Sequence, residues 1–139
     1  MDDLIAYQRA VAFKEAVYAV FDAHPAAARD LRYRSQLFDA AASVEANIAE
    51  GWGRWGAGEM CQFLRYATAS LLEAERRFLD GVGRGHFTKD HCAVALVEAR
   101  RCLAATSRLR RSLEPFAKRP PRRGTRDPKP ARGRELPDP

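Results

Sequence analysis

Apolar residues recur along this chain at spacings of three and four, the period of helices that turn one face away from water. From Asp3 to Ala23, Leu4, Tyr7, Ala10, Val11, Lys14, Val17, Tyr18 and Phe21 keep that period, and Phe13 and Val20 widen the stripe onto a second face. His24-Pro25 interrupts it, because a residue before proline is pushed out of the helical region. A second helix is predicted from Asp30 to Glu50. Asp30 suits the N-cap, and Gly51 is expected to take the left-handed conformation just past the helix end. Val44 and Ile48 form its apolar face. Ala40, Ala41, Ala42, Ala46 and Ala49 are expected to admit another helix at close range.

The third stretch, Ala57 to Val82, places Met60, Phe63, Leu64, Ala67, Leu71, Ala74 and Phe78 on one face, with Leu72 and Leu79 extending it. Gly81-Val82-Gly83-Arg84-Gly85 is expected to break it. The fourth starts at Thr88, an N-cap candidate, and carries the seam Cys92, Leu96, Ala99, Leu103, Thr106, Leu109, Leu113 and Phe116. No run alternates as a strand would. The fold expected is all-α, an antiparallel up-down-up-down four-helix bundle over residues 1–116. The two-faced stripes on the first and third helices call for more buried sides than a lone bundle offers, so self-association is expected.

Charge changes this picture once it is located. The net charge is +6. Residues 117–139 hold eight basic groups (Lys118, Arg119, Arg122, Arg123, Arg126, Lys129, Arg132 and Arg134) against Asp127, Glu135 and Asp138, a net of +5. The rest of the chain is almost neutral. Interleaved prolines and like charges cannot build a core, so this tail is expected to be disordered. With 139 residues the chain is long enough for one cored domain. No apolar run reaches the ~18 residues of a membrane span. Met1-Asp2-Asp3-Leu4 lacks the basic start of a signal peptide, so a cytoplasmic protein is expected. Cys61, Cys92 and Cys102 are odd in number and widely spaced, which fits reduced, buried thiols.

Ser43, Asn47, Glu50 and Arg54 fall at i, i+4, i+7 and i+11 of the second helix and share a face. Tyr7-Gln8-x-Ala10, Ser35-Gln36-Leu37 and Ala42-Ser43-Val44-x-x-Asn47-Ile48-Ala49-Glu50-Gly51-x-x-Arg54 form one pattern. Glu59-x-x-x-Phe63-Leu64-x-x-Ala67-x-x-Ser70-Leu71-x-Glu73 continues it. Over residues 4–113 the chain resembles the bacterial four-helix-bundle proteins encoded by intervening sequences of 23S ribosomal RNA genes. The accessory variability proteins of diversity-generating retroelements are similar in fold. The resemblance implies a cytosolic homopentameric ring, carries over no catalytic residues because none are established for the family, and implies for the retroelement relatives contact with nucleic acid and a reverse transcriptase through a basic surface. One departure is Phe38-Asp39, where the family has a basic pair; it removes an arginine contact from the bundle surface.

The polar face, with Ser70 and Glu73 as partners on the third helix, is better explained as a structural lock than as a catalytic cluster. Buried amides and carboxylates must be hydrogen-bonded and thereby fix register, and no nucleophile stands beside a base. Gly51-Trp52-Gly53-Arg54-Trp55-Gly56 matches GxGxxG but follows a helix where a dinucleotide fingerprint needs a strand, so no cofactor is expected. Trp52 and Trp55 are assigned to a subunit interface in preference to base stacking. His86, His91 and Cys92 lack a fourth ligand at metal-site spacing, and no metal is expected.

The arginine tail is the remaining candidate for chemistry, since Lys and Arg neutralise phosphates without a fixed fold. The function expected is that of a non-enzymatic accessory factor that binds RNA or DNA non-specifically through those eight basic residues. The alternative is a protein-interaction scaffold with no nucleic-acid role. An enzyme working from the polar face ranks last.

Overall fold

The computed structural model describes residues 4–117. Among them the chain is helical and contains no strand. Helix α1 spans Ile5–Ala23, α2 Pro25–Ala28, α3 Leu31–Gly53, α4 Ala57–Gly83 and α5 Ala93–Ala117, with a 3-10 turn at Asp90–Cys92 before α5. The four predicted segments thus each become a long helix. The short α2 is an addition: Pro25 interrupts α1 as expected but then serves as the first residue of a new turn, where its missing N–H costs nothing.

Each long helix packs against two others, α1 and α4 both lying between α3 and α5. Phe13, Val17, Leu37, Val44, Ile48, Leu64, Leu71 and Phe78 are fully buried between them. Contacts along the seams run in opposite chain order. Tyr7 meets Glu45 while Phe21 meets Tyr33 and Phe38. Gln36 meets Arg77 while Ser43 meets Ser70. Glu75 meets Arg100 while Cys61 meets the Arg110 carbonyl.

Two expectations need correction. Gly51 does not end α3; it is buried inside it, and a Cβ there would stand 2.8 Å from Phe63 Cβ and 2.7 Å from Met60 Sδ. Its missing side chain lets α3 and α4 approach, and the turn is delayed to Trp55, which carries the positive φ of 60°. The glycine run from Gly81 to Gly85 does end α4 as expected, at Gly83, with Gly81 packed against Tyr33 and Phe87 and Gly85 left-handed at φ 79°. Finally, Leu72 and Leu79 are half exposed, as are Ala42 and Ala46 on α3, because the apolar arcs are wider than the neighbouring helices cover. None of the helices described is long and apolar enough to cross a membrane.

The two ends of the helix assembly differ. Where α1 ends and α3 begins, Phe87 from the α4–α5 connection is buried, with its ring 6.2 Å from Phe21, 6.2 Å from Tyr33 and 6.0 Å from Phe78. At the other end, α1 and α4 start without a side-chain cap and two apolar hollows open.

Candidate functional site

The polar face of α3 resolves into separate pieces. Ser43 and Asn47 sit half-buried against α4. The Ser43 and Ser70 hydroxyls are 2.9 Å apart, and Asn47 Nδ2 donates to the Ser43 carbonyl at 2.8 Å and its Oγ at 3.0 Å. These short side chains tie one turn of α3 to one turn of α4, and register is what they fix. Glu50 and Arg54 lie further on and face solvent. Arg54 Nε donates to Glu50 Oε1 at 2.9 Å, and its guanidinium lies 5.6 Å from the Phe63 ring centroid. Glu73 joins neither group. It accepts two hydrogen bonds from Arg77, which also donates to Gln36 Oε1 at 2.8 Å. Four residues that share a helical face in sequence are therefore split, because that face crosses the α3–α4 seam and then runs out into water.

A second polar bridge was not read from the sequence. Glu45 accepts a hydrogen bond from the Tyr7 hydroxyl at 3.0 Å and pairs with Lys14 through its other oxygen. The Lys14 hydrogen bond holds the Glu45 carboxyl below its ordinary range, and Glu45 in turn raises the Lys14 ammonium. The available signal was Lys14 itself, a lysine seven residues after Tyr7 in an otherwise apolar stripe. A charge there needs a partner across the seam.

Asp30 caps α3 as predicted by accepting from the Tyr33 N–H at 3.2 Å. It also faces His86 Nε2 at 3.1 Å and Arg84 at 3.9 Å. The Tyr33 N–H, followed by His86, draws its carboxyl below the usual value. Thr88 and His91 exchange bonds at the start of the 3-10 turn. His86 and His91 are thus engaged in caps and Cys92 is buried. Among the described residues no group of three or more His, Cys, Asp or Glu is placed to hold a metal ion. The three cysteines are free and buried. Burial pushes the Cys92 thiol up to about 11 and the Cys102 thiol up to about 12, which keeps both protonated and unreactive at neutral pH.

Some basic groups on the helices are paired, whereas Arg32, Arg34, Arg76, Arg108 and Arg111 form no ion pair among the described residues. Arg100 binds Glu75, Arg101 binds Glu98, Arg110 binds Glu114 and Arg84 binds Asp80. Such exposed pairs stabilise little but cancel the positive field of the surface. Lys118, Arg119, Arg122, Arg123, Arg126, Lys129, Arg132 and Arg134 all lie outside the described residues. Their point of attachment does not: Ala117 Cβ stands 4.0 Å from where a Cβ on Gly58 would be, at the start of α4.

Beside that point Gly51, Trp52, Trp55, Gly56, Ala57, Met60, Leu109 and Leu113 line an apolar hollow of about 260 Å³. Trp55 is 94% exposed and Trp52 47%. Leu4, Ile5, Ala6, Ala105, Arg108, Leu109 and Ser112 line the second hollow on the same end.

No curated protein and no solved structure matches the chain. The family model described as 23S rRNA-intervening sequence protein matches residues 2–106, which takes in α1 to α4 and more than half of α5. The helical order and this match agree with the motif running from Tyr7 to Glu73, and the chain belongs to the 23S rRNA-intervening sequence protein family.

Proposed function

We propose that this protein is a non-enzymatic, cytoplasmic accessory factor that binds RNA or DNA without sequence preference through its basic C-terminal segment. The observation that carries this reading is the segregation of charge. Residues 118–139 alone account for +5 of the net +6, while the remaining 16 basic residues (24 − 8) are balanced by 15 acidic ones (18 − 3). Neutralising phosphates needs density of positive charge and no fixed geometry. No base-reading element accompanies it, which fits non-specific binding.

The helical part is inferred to be an antiparallel up-down-up-down bundle that associates with copies of itself. The opposed order of contacts along the three seams supports the first inference. Exposed Leu72 and Leu79 on α4 and Val94 and Val97 on α5 support the second. Five copies and a reverse transcriptase partner are what the family resemblance implies. In such an assembly the tails would multiply local charge and with it avidity along a polyanion.

Gel-shift titration of RNA with the full chain and with a chain lacking residues 118–139 tests the proposal. The full chain is expected to bind, and deletion to remove most of the affinity. Equal affinity of the two would refute the tail mechanism, and capture of a protein partner after nuclease treatment, with no RNA binding, would favour a scaffold.

A further inference from the structure

The strongest unexplained feature of the surface is Trp55. An indole buries a large apolar area wherever it can, yet this one is 94% exposed and held at a φ of 60°, which L-residues avoid. Trp52, 47% exposed, stands beside it on the same hollow. Arg54 between them does not compete for either ring, since it is bound to Glu50 and lies over Phe63.

We propose that Trp52 and Trp55 form a stacking platform for the unpaired bases of single-stranded nucleic acid, at the point where the basic tail leaves the helices. Every base has a π-face, so aromatic platforms bind single strands without reading sequence, provided that positive charge tracks the phosphates. That charge is close by. The tail begins one residue after Ala117, which lies against Gly58, two residues beyond Gly56 of the hollow. Arg108 and Arg111, exposed near the C-terminal end of α5, have no carboxylate partner among the described residues. Glu50 and Glu114 are already paired with arginine, while Glu59 in the first turn of α4 is an exposed acid in no ion pair among the described residues.

Charge complementarity also favours this occupant over an end-to-end contact with a second copy of the chain. Two copies meeting at this end would bring together two tails of +5 each, whereas a polyanion is attracted to both. The inference rests on the proposed nucleic-acid function and adds to it a preference: single strands over duplexes, whose bases are already stacked.

The chain has two tryptophans, both on this platform, so tryptophan emission, excited apart from the four tyrosines, reports on this site alone. The experiment titrates the full chain with a short oligothymidylate and with a duplex of the same phosphate count. Oligothymidylate is expected to quench the emission. Trp55→Ala is expected to weaken oligothymidylate binding about 5- to 100-fold and to leave duplex binding unchanged, with Trp55→Phe in between and Trp52→Ala as the second test of the platform. Replacing the eight tail cations by glutamine is expected to weaken both ligands. If W55A binds oligothymidylate as tightly as the parent while the tail variant does not, the platform is refuted and the tail mechanism stands. If the tail variant binds both ligands normally and W55A fails on the single strand, the reverse holds. A change in oligomeric mass on W55A would make this surface an interface between copies, and an emission shift on altering the tail without nucleic acid would make the tail its occupant. Either result overturns the proposal.

Discussion

The same four long helices are closed at one end and open at the other. At the closed end Phe87 folds inward among Phe21, Tyr33 and Phe78, and Tyr33 Oη donates to the Arg77 carbonyl at 2.6 Å. Asp30 caps α3 there, and Thr88 caps the 3-10 turn that leads into α5. At the open end the comparable aromatic residues point away. Trp55 and Phe116 are more than half exposed, Ile5 is 60% exposed, and α1 and α4 begin on Leu4 and Gly56 with no side-chain cap. The contrast lies in the aromatic residues, buried at one end and exposed at the other, since Leu31, Leu79 and Val94 leave apolar surface exposed at the closed end as well.

The largest expected effect is on the closed end. Phe87→Ala removes a buried ring from the meeting of α1, α3 and α4 and is expected to cost about 3–5 kcal/mol in urea unfolding. Phe116→Ala at the open end, half exposed, is expected to stay within about 0.5 kcal/mol. Similar losses at both positions would erase the distinction between the ends.

A middle-sized effect belongs to the Glu45 bridge, midway between the ends. Its side chains are only 20% and, for Lys14, 25% exposed. Glu45→Gln is expected to cost about 1–3 kcal/mol, the range for hydrogen bonds to charged groups. The pH dependence has two limbs. Glu45 titrates lower in the folded chain than its ordinary 4.5, so its contribution is complete above that value and lost as pH falls through the folded pKa. Lys14 titrates above its ordinary 10.5, so its contribution is complete below that value and lost as pH rises through the folded pKa. A plateau in melting temperature between these limits is expected. The acid limb should be shallower in E45Q and should not vanish, because Asp30 is also lowered.

The smallest effect has the opposite sign. Trp55 holds a left-handed conformation that costs an L-residue about 1–2 kcal/mol, and glycine takes it freely. Trp55→Gly is expected to raise stability by about 1 kcal/mol while removing the platform. A loss of stability would mean that the indole packs against the structure after all.

Most of the helix content was legible because apolar period survives in any single sequence, and Asp30 was legible because capping is local chemistry. The errors share a cause. Gly51 read as a helix stop because glycine permits a turn, but here it permits close packing, and only the neighbouring Met60 and Phe63 decide which. Glu45 went unread because its partners are 31 and 38 residues away. The polar face of α3 was seen correctly as a face, but no sequence rule marks where a seam leaves it for solvent. For the exposed tryptophans the sequence offered two readings, a subunit interface and base stacking, and the emission titration with W55A is what separates them.

The most direct test of charge segregation is the salt dependence of oligothymidylate binding by the full chain and by the variant with all eight tail cations replaced by glutamine. A slope of log Kobs against log salt no steeper than about −5.6, eight contacts at about −0.7 each, is expected for the parent, collapsing towards zero in the variant. A slope that survives the eight substitutions would place the phosphate contacts on the helices and contradict the division of the molecule into a neutral body and a basic arm.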